Sequence, residues 1–281
     1  MDNKKTWFVT GASKGLGLTL VKHLLTAGQS VAATSRNAAA LTEAVDTDTT
    51  NFLPLQADLA DDSSVAAAIQ STIEKFGRID VVVNNAGYGI GGSIEELSDT
   101  VTRTSFDINV FGTLNVIRHA LPFMRRQRSG HIINISSIAG ISGNTGWSVY
   151  AAAKYAVTGL TDVLAQDVKE FGINVTLVAP GAFRTSFLTA DSLVLTDTPI
   201  DDYTAIRASH AKYATMNGEQ QGDPDKAATV MMELVNMPEP PLYLLLGSDA
   251  YRRALNKLEQ LSEAFKASES LTKSTDYQLN F

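Results

Sequence analysis

Cysteine is absent from the 281 residues of this chain. The protein therefore has no disulfides, no thiolate nucleophile and no cysteine-based zinc site. Its four histidines do not pair at metal-ligand spacing, so we interpret them as helix or loop residues and expect no metal. Long apolar runs are also missing. None approaches the ~20 residues that a membrane-spanning helix needs, and we expect no membrane association.

Basic residues are also fewer than acidic residues. The chain has 23 Lys and Arg against 30 Asp and Glu, a formal net charge of −7. An acid excess disfavours nucleic acid and anionic membranes as main partners. The basic N-terminus runs directly into a strand-like segment and is not typical of a signal peptide. We expect a cytoplasmic location.

Strand-like and helix-like segments alternate along the chain. Strands are predicted at 6–10, 30–35, 51–58, 79–87, 131–136, 173–180 and 242–247. Nearly continuous apolar runs are typical of strands that are buried on both faces, and connecting helices make such strands parallel. The pattern predicts an α/β fold, a Rossmann-type doubly wound parallel sheet of about seven strands with helices on both faces.

Two helices and the domain organisation can also be predicted. A helical stripe follows residue 62 and ends before Gly77, and Asp62 or Ser63 can cap its start. One long helix is predicted over about 100–127. No linker divides the chain, so we expect a single domain over 1–281.

A glycine-rich turn follows the first predicted strand. The stretch VTGASKGLG places Gly11, Gly15 and Gly17 before the first helix. Glycines allow a tight turn and close approach of a pyrophosphate to the helix N-terminus, although they can equally serve a tight turn alone. The context of strand, turn and helix favours a dinucleotide site.

The second strand ends in TSRN. NAD-binding sheets usually carry an acidic residue here, which binds the ribose 2′-hydroxyl. This chain has Ser35 and Arg36 instead, and a guanidinium suits the 2′-phosphate of NADP. Lys14, in the glycine turn, is expected to add a second cation near the same place. The alternative is that Arg36 is a solvated loop residue.

Tyr150 and Lys154 are four residues apart in SVYAAAKYAVTGL and share one face of a predicted helix. Alone, such a pair is more often amphipathic surface. The other motifs decide between these interpretations, because in their order they resemble the short-chain dehydrogenases/reductases, in the single-domain branch of that family. The resemblance covers roughly residues 6–250 and is carried by T-G-x-x-x-G-x-G at 10–17, N-N-A-G at 84–87, Y-x-x-x-K at 150–154 and P-G-x-x-x-T at 180–185.

The resemblance implies an oxidoreductase that interconverts a carbonyl and an alcohol with NADP(H). The implied catalytic residues are Asn109, Ser137, Tyr150 and Lys154. The implied cofactor contacts are Gly11, Ser13, Lys14, Gly15, Leu16, Gly17, Arg36, Asp58, Leu59, Asn85, Ala86, Gly87, Tyr150, Lys154, Pro180, Gly181 and Thr185.

The same resemblance implies the role of each catalytic residue. Tyr150 exchanges a proton with the substrate oxygen, Ser137 holds that oxygen, and Asn109 holds a water in a proton relay. Lys154 binds the nicotinamide ribose. A neighbouring ammonium favours a phenolate, so we expect Lys154 also to lower the pKa of Tyr150 from its ordinary value of about 10.

The substrate side is expected beyond Thr185. The stretch 186–222 has no evident sheet partner, and the resemblance implies a mobile lid there. Its apolar residues either form a substrate wall or anchor the lid, and Tyr203 and His210 are candidate polar contacts. The stretch GYGIGG, residues 87–92, is predicted to be a second flexible rim. The candidate wall residues are Phe183, Phe187, Leu188, Leu193, Val194 and Leu195, which suit a bulky or apolar ketone, aldehyde or secondary alcohol.

A C-terminal helical extension is predicted over about 248–281. Its apolar stripe contains Leu255, Leu258, Leu261 and Phe265, and it either caps a surface or makes an interface. We expect a homodimer or homotetramer.

Two other functions remain open. An oxoacyl carrier-protein reductase would need a basic patch such as RRQR at 125–128, although cations at that place also complement a helix end. A non-catalytic NADP-binding sensor would be expected to lose Tyr150 or Lys154, and both are present.

Overall fold

The structure is a computed structural model, and it describes residues 4–47 and 49–277. Its main sheet has seven parallel strands in the order β3-β2-β1-β4-β6-β7-β9, which confirms the predicted fold class. The strands are β1 Thr6–Val9, β2 Ser30–Ser35, β3 Phe52–Gln56, β4 Val81–Asn84, β6 Gly130–Ile135, β7 Ile173–Pro180 and β9 Tyr243–Leu246. Two short strands, β5 Gly89–Gly91 and β8 Leu193–Leu195, pair in a second sheet.

Helices cover both faces of the main sheet. The helices are α1 Gly15–Thr26, α2 Ala38–Val45, α3 Asp62–Phe76, α4 Asp99–Phe106, α5 Gly112–Gln127, α6 Ser148–Asp167, α7 Thr204–Thr215, α8 Pro224–Leu234, α9 Ser248–Ala267 and α10 Glu269–Lys273.

The core has two parts, one on each face of the sheet, because successive side chains of a strand point to opposite faces. Trp7 and Val9 of β1 pack towards α1, α2 and α8. Phe8 packs on the other face, towards α3, α5 and α6.

The N-cap of α3 differs from the prediction, which named Asp62 or Ser63. Asp61 is the N-cap, and its Oδ1 accepts from the backbone N–H of Ser63 at 2.9 Å and of Ser64 at 3.4 Å. A carboxylate placed before the first turn reaches these free N–H groups, whereas Asp62 already lies inside the helix. Gly77 ends the helix with a φ of 78°, in the left-handed region that glycine tolerates.

The predicted long helix is continuous, but it contains a π-helical turn. Residues Asp107–Phe111 separate α4 from α5, with right-handed helical backbone on both sides. Such bulges are frequent at functional sites. This turn holds Asn109, which is buried.

The expectation for the histidines was wrong for one of them. His131 lies in β6, where it is buried and its Nε2 is 3.0 Å from Thr176 Oγ1. Burial lowers the pKa of His131 to about 4, so the ring is neutral at pH 7. The other three lie on helices, and within residues 4–47 and 49–277 no group of three or more His, Cys, Asp or Glu side chains could hold a metal.

The C-terminal extension begins as a helix at the predicted place. Ala250 and Ala254 of α9 are buried against Ile138, so the first turns of α9 pack on the core. The stripe residues Leu255 and Phe265 further along are exposed. Residues 278–281 of the predicted extension lie outside the described residues, and the assignment of one domain stays a prediction. No helix in the described part of the chain is both long and apolar enough to span a bilayer.

Candidate active site

The main cavity opens at the carboxyl ends of the parallel strands. Its volume is about 580 Å³, and its lining includes the ends of β1, β2, β3, β4, β6 and β7 and the segment after β7. Strand order reverses between β1 and β4, which is where open α/β sheets bind ligands. All of the predicted cofactor residues line this cavity except Gly17.

The glycine turn packs tightly against the segment after β4. A Cβ on Gly11 would lie 2.6 Å from Ala86 Cα, and one on Gly17 would lie 2.4 Å from Asn85 Nδ2. Gly11 also has a φ of +64°. Glycine is therefore required at both positions, but Gly17 acts through packing and does not line the cavity.

The N-terminus of α1 is left without a side-chain cap. Lys14 is the N-cap residue and its side chain makes no capping bond, while Gly15 and Leu16 in the first turn line the cavity. The backbone N–H groups of a first helical turn have no partner within the helix. An anion in the cavity would satisfy them.

Thr10 and Asn85 tie the turn to the strand ends. Asn85 Nδ2 donates to the carbonyls of Thr10 at 2.9 Å and Gly11 at 3.0 Å. Thr10 Oγ1 accepts from the backbone N–H of Asn85 and of Ala86. Thr10 is therefore a structural part of the glycine motif, a role that was not predicted from the sequence.

The two predicted cations have different surroundings. Arg36 is exposed at the cavity wall and makes no hydrogen bond or ion pair with the described residues. Lys14 Nζ instead donates to the carbonyl of Asp191 at 2.9 Å. The lid thus engages Lys14, which its sequence position did not indicate.

Tyr150 and Lys154 share one face of α6 and are both buried, with exposed fractions of 8% and 5%. Lys154 Nζ lies 5.9 Å from the centre of the Tyr150 ring and donates to the Ile135 carbonyl at 3.0 Å. The Phe187 ring lies 5.8 Å from the Tyr150 ring. The pair is therefore not the amphipathic surface that α6 alone would suggest.

The expected lowering of the Tyr150 pKa by Lys154 was wrong for this structure. Burial raises the pKa of Tyr150 to about 12, against an opposing interaction with Ser137 and with a smaller rise from Tyr213. Burial also lowers the pKa of Lys154 to about 8. Desolvation dominates because both groups leave water, and the Lys154 amine bonds a backbone carbonyl rather than the phenol.

Asn109 lies behind the cavity wall. Its Oδ1 accepts from the backbone N–H of Tyr88 at 3.2 Å, and its Nδ2 donates to the Ser105 carbonyl at 2.9 Å. A Cβ on Gly87 would lie 2.5 Å from Asn109 Oδ1 and 3.3 Å from Lys154 Nζ. Asn109 and Lys154, both predicted catalytic residues, therefore both pack closely against Gly87.

Ser137 lines the cavity at the end of β6, and the neighbouring residues fix its position. Its Oγ accepts from the backbone N–H of Ala139 at 3.1 Å. Ser136 Oγ donates to the Lys154 carbonyl at 3.0 Å, and a Cβ on Gly140 would lie 2.7 Å from that carbonyl oxygen. Ser136 and Gly140 therefore hold α6 against β6, a role that our sequence analysis missed.

The segment 186–222 has a sheet partner, contrary to our expectation. β8 pairs in parallel with β5, with Ile90 opposite Val194. The predicted flexible rim therefore contains a buried strand, because its glycines allow the lid side chains to approach closely. A Cβ on Gly89 would lie 2.9 Å from Leu193 Cδ1. Whether the lid moves stays a prediction.

The lid contributes only part of the predicted substrate wall. Phe183, Phe187, Leu188 and Val194 line the cavity, whereas Leu193 and Leu195 do not. Tyr203 and His210 do not line it either. Tyr203 Oη donates to Glu95 at 2.8 Å, and His210 Nε2 lies 3.1 Å from the Gly146 carbonyl. The lining residues that were not predicted from the sequence include Asn144, Trp147, Tyr213, Met216, Gln220 and Arg253.

Glu96 fastens the lid to the core. Its buried carboxylate accepts from the backbone N–H of Ser93 and of Ile200, both at 2.7 Å, and from Arg207 Nη2 at 2.6 and 2.7 Å. These hydrogen bonds, that of Ser93 foremost, lower the pKa of Glu96 to about 2. The carboxylate is ionised at neutral pH and joins β5 to α7.

Replacing Glu96 by Gln should loosen the lid. The amide would set N–H donors against those of Ser93, Ile200 or Arg207, so hydrogen exchange over 193–207 should become about tenfold faster. Glu95→Gln is the matched control, since Glu95 accepts a single hydrogen bond among the described residues, from Tyr203 Oη. Equal exchange in the two variants would contradict a specific role for Glu96.

The same contact predicts a pH dependence. The folded pKa of about 2 lies below the ordinary value of 4.5, so the contribution of Glu96 is complete above about pH 4.5. It should be lost as the pH falls towards 2. Exchange over 193–207, corrected for its intrinsic pH dependence, should therefore accelerate only below about pH 4.5 in the parent protein and show no such step in Glu96→Gln.

Comparison with known proteins agrees with this geometry. The family model for short chain dehydrogenase matches residues 5–193. Oxidoreductase BOA17 of Botryotinia fuckeliana is 38% identical over 92% of this chain and 94% of its own. A 3-ketodihydrosphingosine reductase of Bacteroides thetaiotaomicron is 33% identical over 85% of this chain and 86% of its own.

Solved structures of short-chain dehydrogenases and related enzymes also superpose on this chain. A short-chain dehydrogenase from Streptomyces avermitilis superposes with a TM-score of 0.89 at 32% identity, over 97% of this chain and all of the other. The structure of ElxO with NADP bound has a TM-score of 0.71 at 27% identity, over 86% of this chain and 97% of its own. This chain belongs to the short-chain dehydrogenase family of oxidoreductases.

Proposed function

We propose that this protein is an NADP(H)-dependent reductase that interconverts a carbonyl and an alcohol. The observation that carries the proposal is the joint position of Ser137, Tyr150 and Lys154 in one cavity with the glycine turn. Tyr150 and Lys154 are buried there, and Asn109 lies directly behind Gly87. Each of these residues is assigned the role implied by the family.

The cavity fits a dinucleotide. The close approach of Gly11 to Ala86 leaves no room for a side chain, and the uncapped first turn of α1 offers N–H donors to a pyrophosphate. Asp58 and Leu59, at the end of β3, are assigned to the adenine side. Pro180, Gly181 and Thr185, at the end of β7, are assigned to the nicotinamide side. NADPH supplies the hydride when it is bound.

The protein's own chemistry is a proton transfer. Tyr150 donates its phenolic proton to the substrate oxygen, which Ser137 positions. A phenol with a pKa near 12 is fully protonated at pH 7, so the free enzyme is ready to act as the acid of a reduction. Alcohol oxidation needs the phenolate, and its rate should therefore rise with pH.

The preference for NADP is assigned to Arg36. The guanidinium is exposed at the cavity wall with no partner in the described part of the chain, and no carboxylate replaces it at the end of β2. ElxO provides a related case, because its structure contains NADP. Lys14 contributes less to this preference for NADP, because its ammonium also donates a hydrogen bond to the lid.

The substrate class is a bulky or apolar ketone, aldehyde or secondary alcohol. Phe183, Phe187, Leu188, Val194 and Met216 give the cavity an apolar wall beside Tyr150. The similarity to a 3-ketodihydrosphingosine reductase supports a ketone with an apolar body.

An oxoacyl carrier-protein reductase would need a basic patch for its acidic partner, and the candidate segment at 125–128 has another explanation. Arg126 lies over the ring of Phe123 at 4.6 Å, and Arg128 over that of Phe171 at 5.5 Å. These arginines cover apolar surface at the end of α5 and so have a structural explanation.

Assembly as a homodimer or homotetramer is part of the proposal. Phe111, Tyr155 and Val163 are large apolar residues exposed beside or on α5 and α6, as expected of a surface that a second copy covers. A cytoplasmic location stays a prediction.

A substrate panel tests the function directly. We expect purified protein to oxidise NADPH with bulky ketones and aldehydes, and faster than with a β-oxoacyl thioester of acyl carrier protein. Preference for the thioester would favour the carrier-protein reductase. Tight NADPH binding without turnover of any carbonyl would favour the sensor.

A further inference from the structure

Six of the cavity residues outside the cofactor motifs form a group that we call the distal wall: Asn144, Trp147, Tyr213, Met216, Gln220 and Arg253. They come from the loop before α6, from the lid and from α9. The Trp147 ring packs edge-on against Tyr213, with ring centres 4.9 Å apart. Trp147 is the N-cap residue of α6, which carries Tyr150 in its first turn, and Tyr213 lines the same cavity as Tyr150. The distal wall therefore adjoins the reacting group.

Arg253 brings an unpaired positive charge to this wall. Its Nη2 donates to the Ser142 carbonyl, and it forms no ion pair among residues 4–47 and 49–277. Asp249 lies one turn earlier and also lines the cavity, but its Oδ2 accepts from the Ala182 N–H at 2.9 Å. A guanidinium has five N–H donors, and a single bond to a carbonyl leaves Arg253 able to bind a ligand in the cavity that it lines.

Other distal-wall residues also have donors in excess. Gln220 is only 3% exposed, and its Oε1 accepts from the Gly218 N–H while its Nε2 has no partner within the described residues. Trp147 Nε1 is buried and equally unpartnered there. Asn144 and Tyr213 bond each other, and either orientation of the amide leaves two donors of this pair without a partner in the described residues.

The positive charge of Arg253 and the surplus of donors on this wall indicate which ligand chemistry would complement it. A ligand that supplies acceptors and a negative charge matches the wall better than one that supplies donors. A carboxylate is an acceptor-only group, and a guanidinium binds it through paired hydrogen bonds. An alcohol or amide would bring further donors and would leave the charge of Arg253 unpaired.

Resting on the proposed reductase function, we propose that the distal wall binds a carboxylate of the substrate, with Arg253 as its main contact. The substrate is then an oxo acid. Its carbonyl lies at Tyr150, its apolar body lies against Phe187 and Leu188, and its carboxylate reaches Arg253 on α9. The first turns of the C-terminal helix thereby determine specificity.

A matched pair of probes tests this assignment. We expect the parent enzyme to reduce 4-oxo-4-phenylbutanoate with a kcat/KM about ten- to a hundredfold above that for its methyl ester, mainly through KM. Arg253→Met should bring this ratio close to one, and Arg253→Lys should retain part of it. Arg252→Met removes the same charge from an exposed neighbour on α9 and should leave the ratio unchanged.

Two results would overturn the assignment: a parent ratio near one, or an unchanged ratio in Arg253→Met. A lower melting temperature of Arg253→Met with that unchanged ratio would reduce the residue to a structural tie to Ser142. Calorimetric binding of acid and ester to the protein loaded with NADP⁺, which has no hydride to transfer, separates this inference from the proposed function. Selective binding of the acid without turnover of any carbonyl would refute the reductase and retain the carboxylate site.

Discussion

Tyr150→Phe should lower kcat for carbonyl reduction by about 10²- to 10⁴-fold, the usual contribution of a positioned acid. The change removes one oxygen and keeps the ring that packs near Phe187, so the fold and the cavity should persist. NADPH binding should stay close to that of the parent, because the phenol acts on the substrate oxygen. Steady-state kinetics with the best panel substrate, and fluorescence titration with NADPH, measure the two quantities.

Tyr155→Phe is the matched control. Tyr155 stands on the same helix, is partly exposed and does not line the cavity. Its phenol bonds the Ile141 carbonyl, so this variant reports the cost of losing a tyrosine hydroxyl from α6 without touching the site. Near-normal turnover by Tyr150→Phe, or an equal loss in both variants, would rule out the acid role.

Arg36→Ala should remove most of the preference for NADPH over NADH. A charge-assisted hydrogen bond contributes about 1.5–3 kcal/mol, which is roughly ten- to a hundredfold in affinity. The loss should fall on NADPH, since NADH has no 2′-phosphate for the guanidinium to bind. Values of kcat/KM for both cofactors in the parent and the variant decide the matter.

Two further variants give this experiment its controls. Arg125→Ala removes an equal charge from the exposed end of α5, away from the cavity, and should leave the preference intact. Lys14→Ala should reduce it less than Arg36→Ala does, because Lys14 Nζ already donates a hydrogen bond to the Asp191 carbonyl of the lid. A parent that uses both cofactors equally would show that Arg36 is only a solvated loop residue.

Local sequence motifs predicted many of the residues of the candidate active site. The glycine spacing at 11–17 and the pair Tyr150 and Lys154 are local patterns, set by the turn after β1 and by the period of α6. The structure places both at one cavity. The failures were contacts between distant segments, such as Glu96 with Ile200 and Arg207, which no local pattern encodes.

The sequence by itself determined the fold class and the order of the strands along the chain, because apolar runs and helical stripes are local properties of the side chains. It also determined which residue types stand at the strand ends. Only the tertiary structure decided how far burial shifts the pKa of Tyr150 and of Lys154, since desolvation depends on what covers a group. It alone brought Arg253 from α9 to the cavity that Tyr213 also lines, because packing of α9 on the turn after β6 joins segments separated by more than a hundred residues.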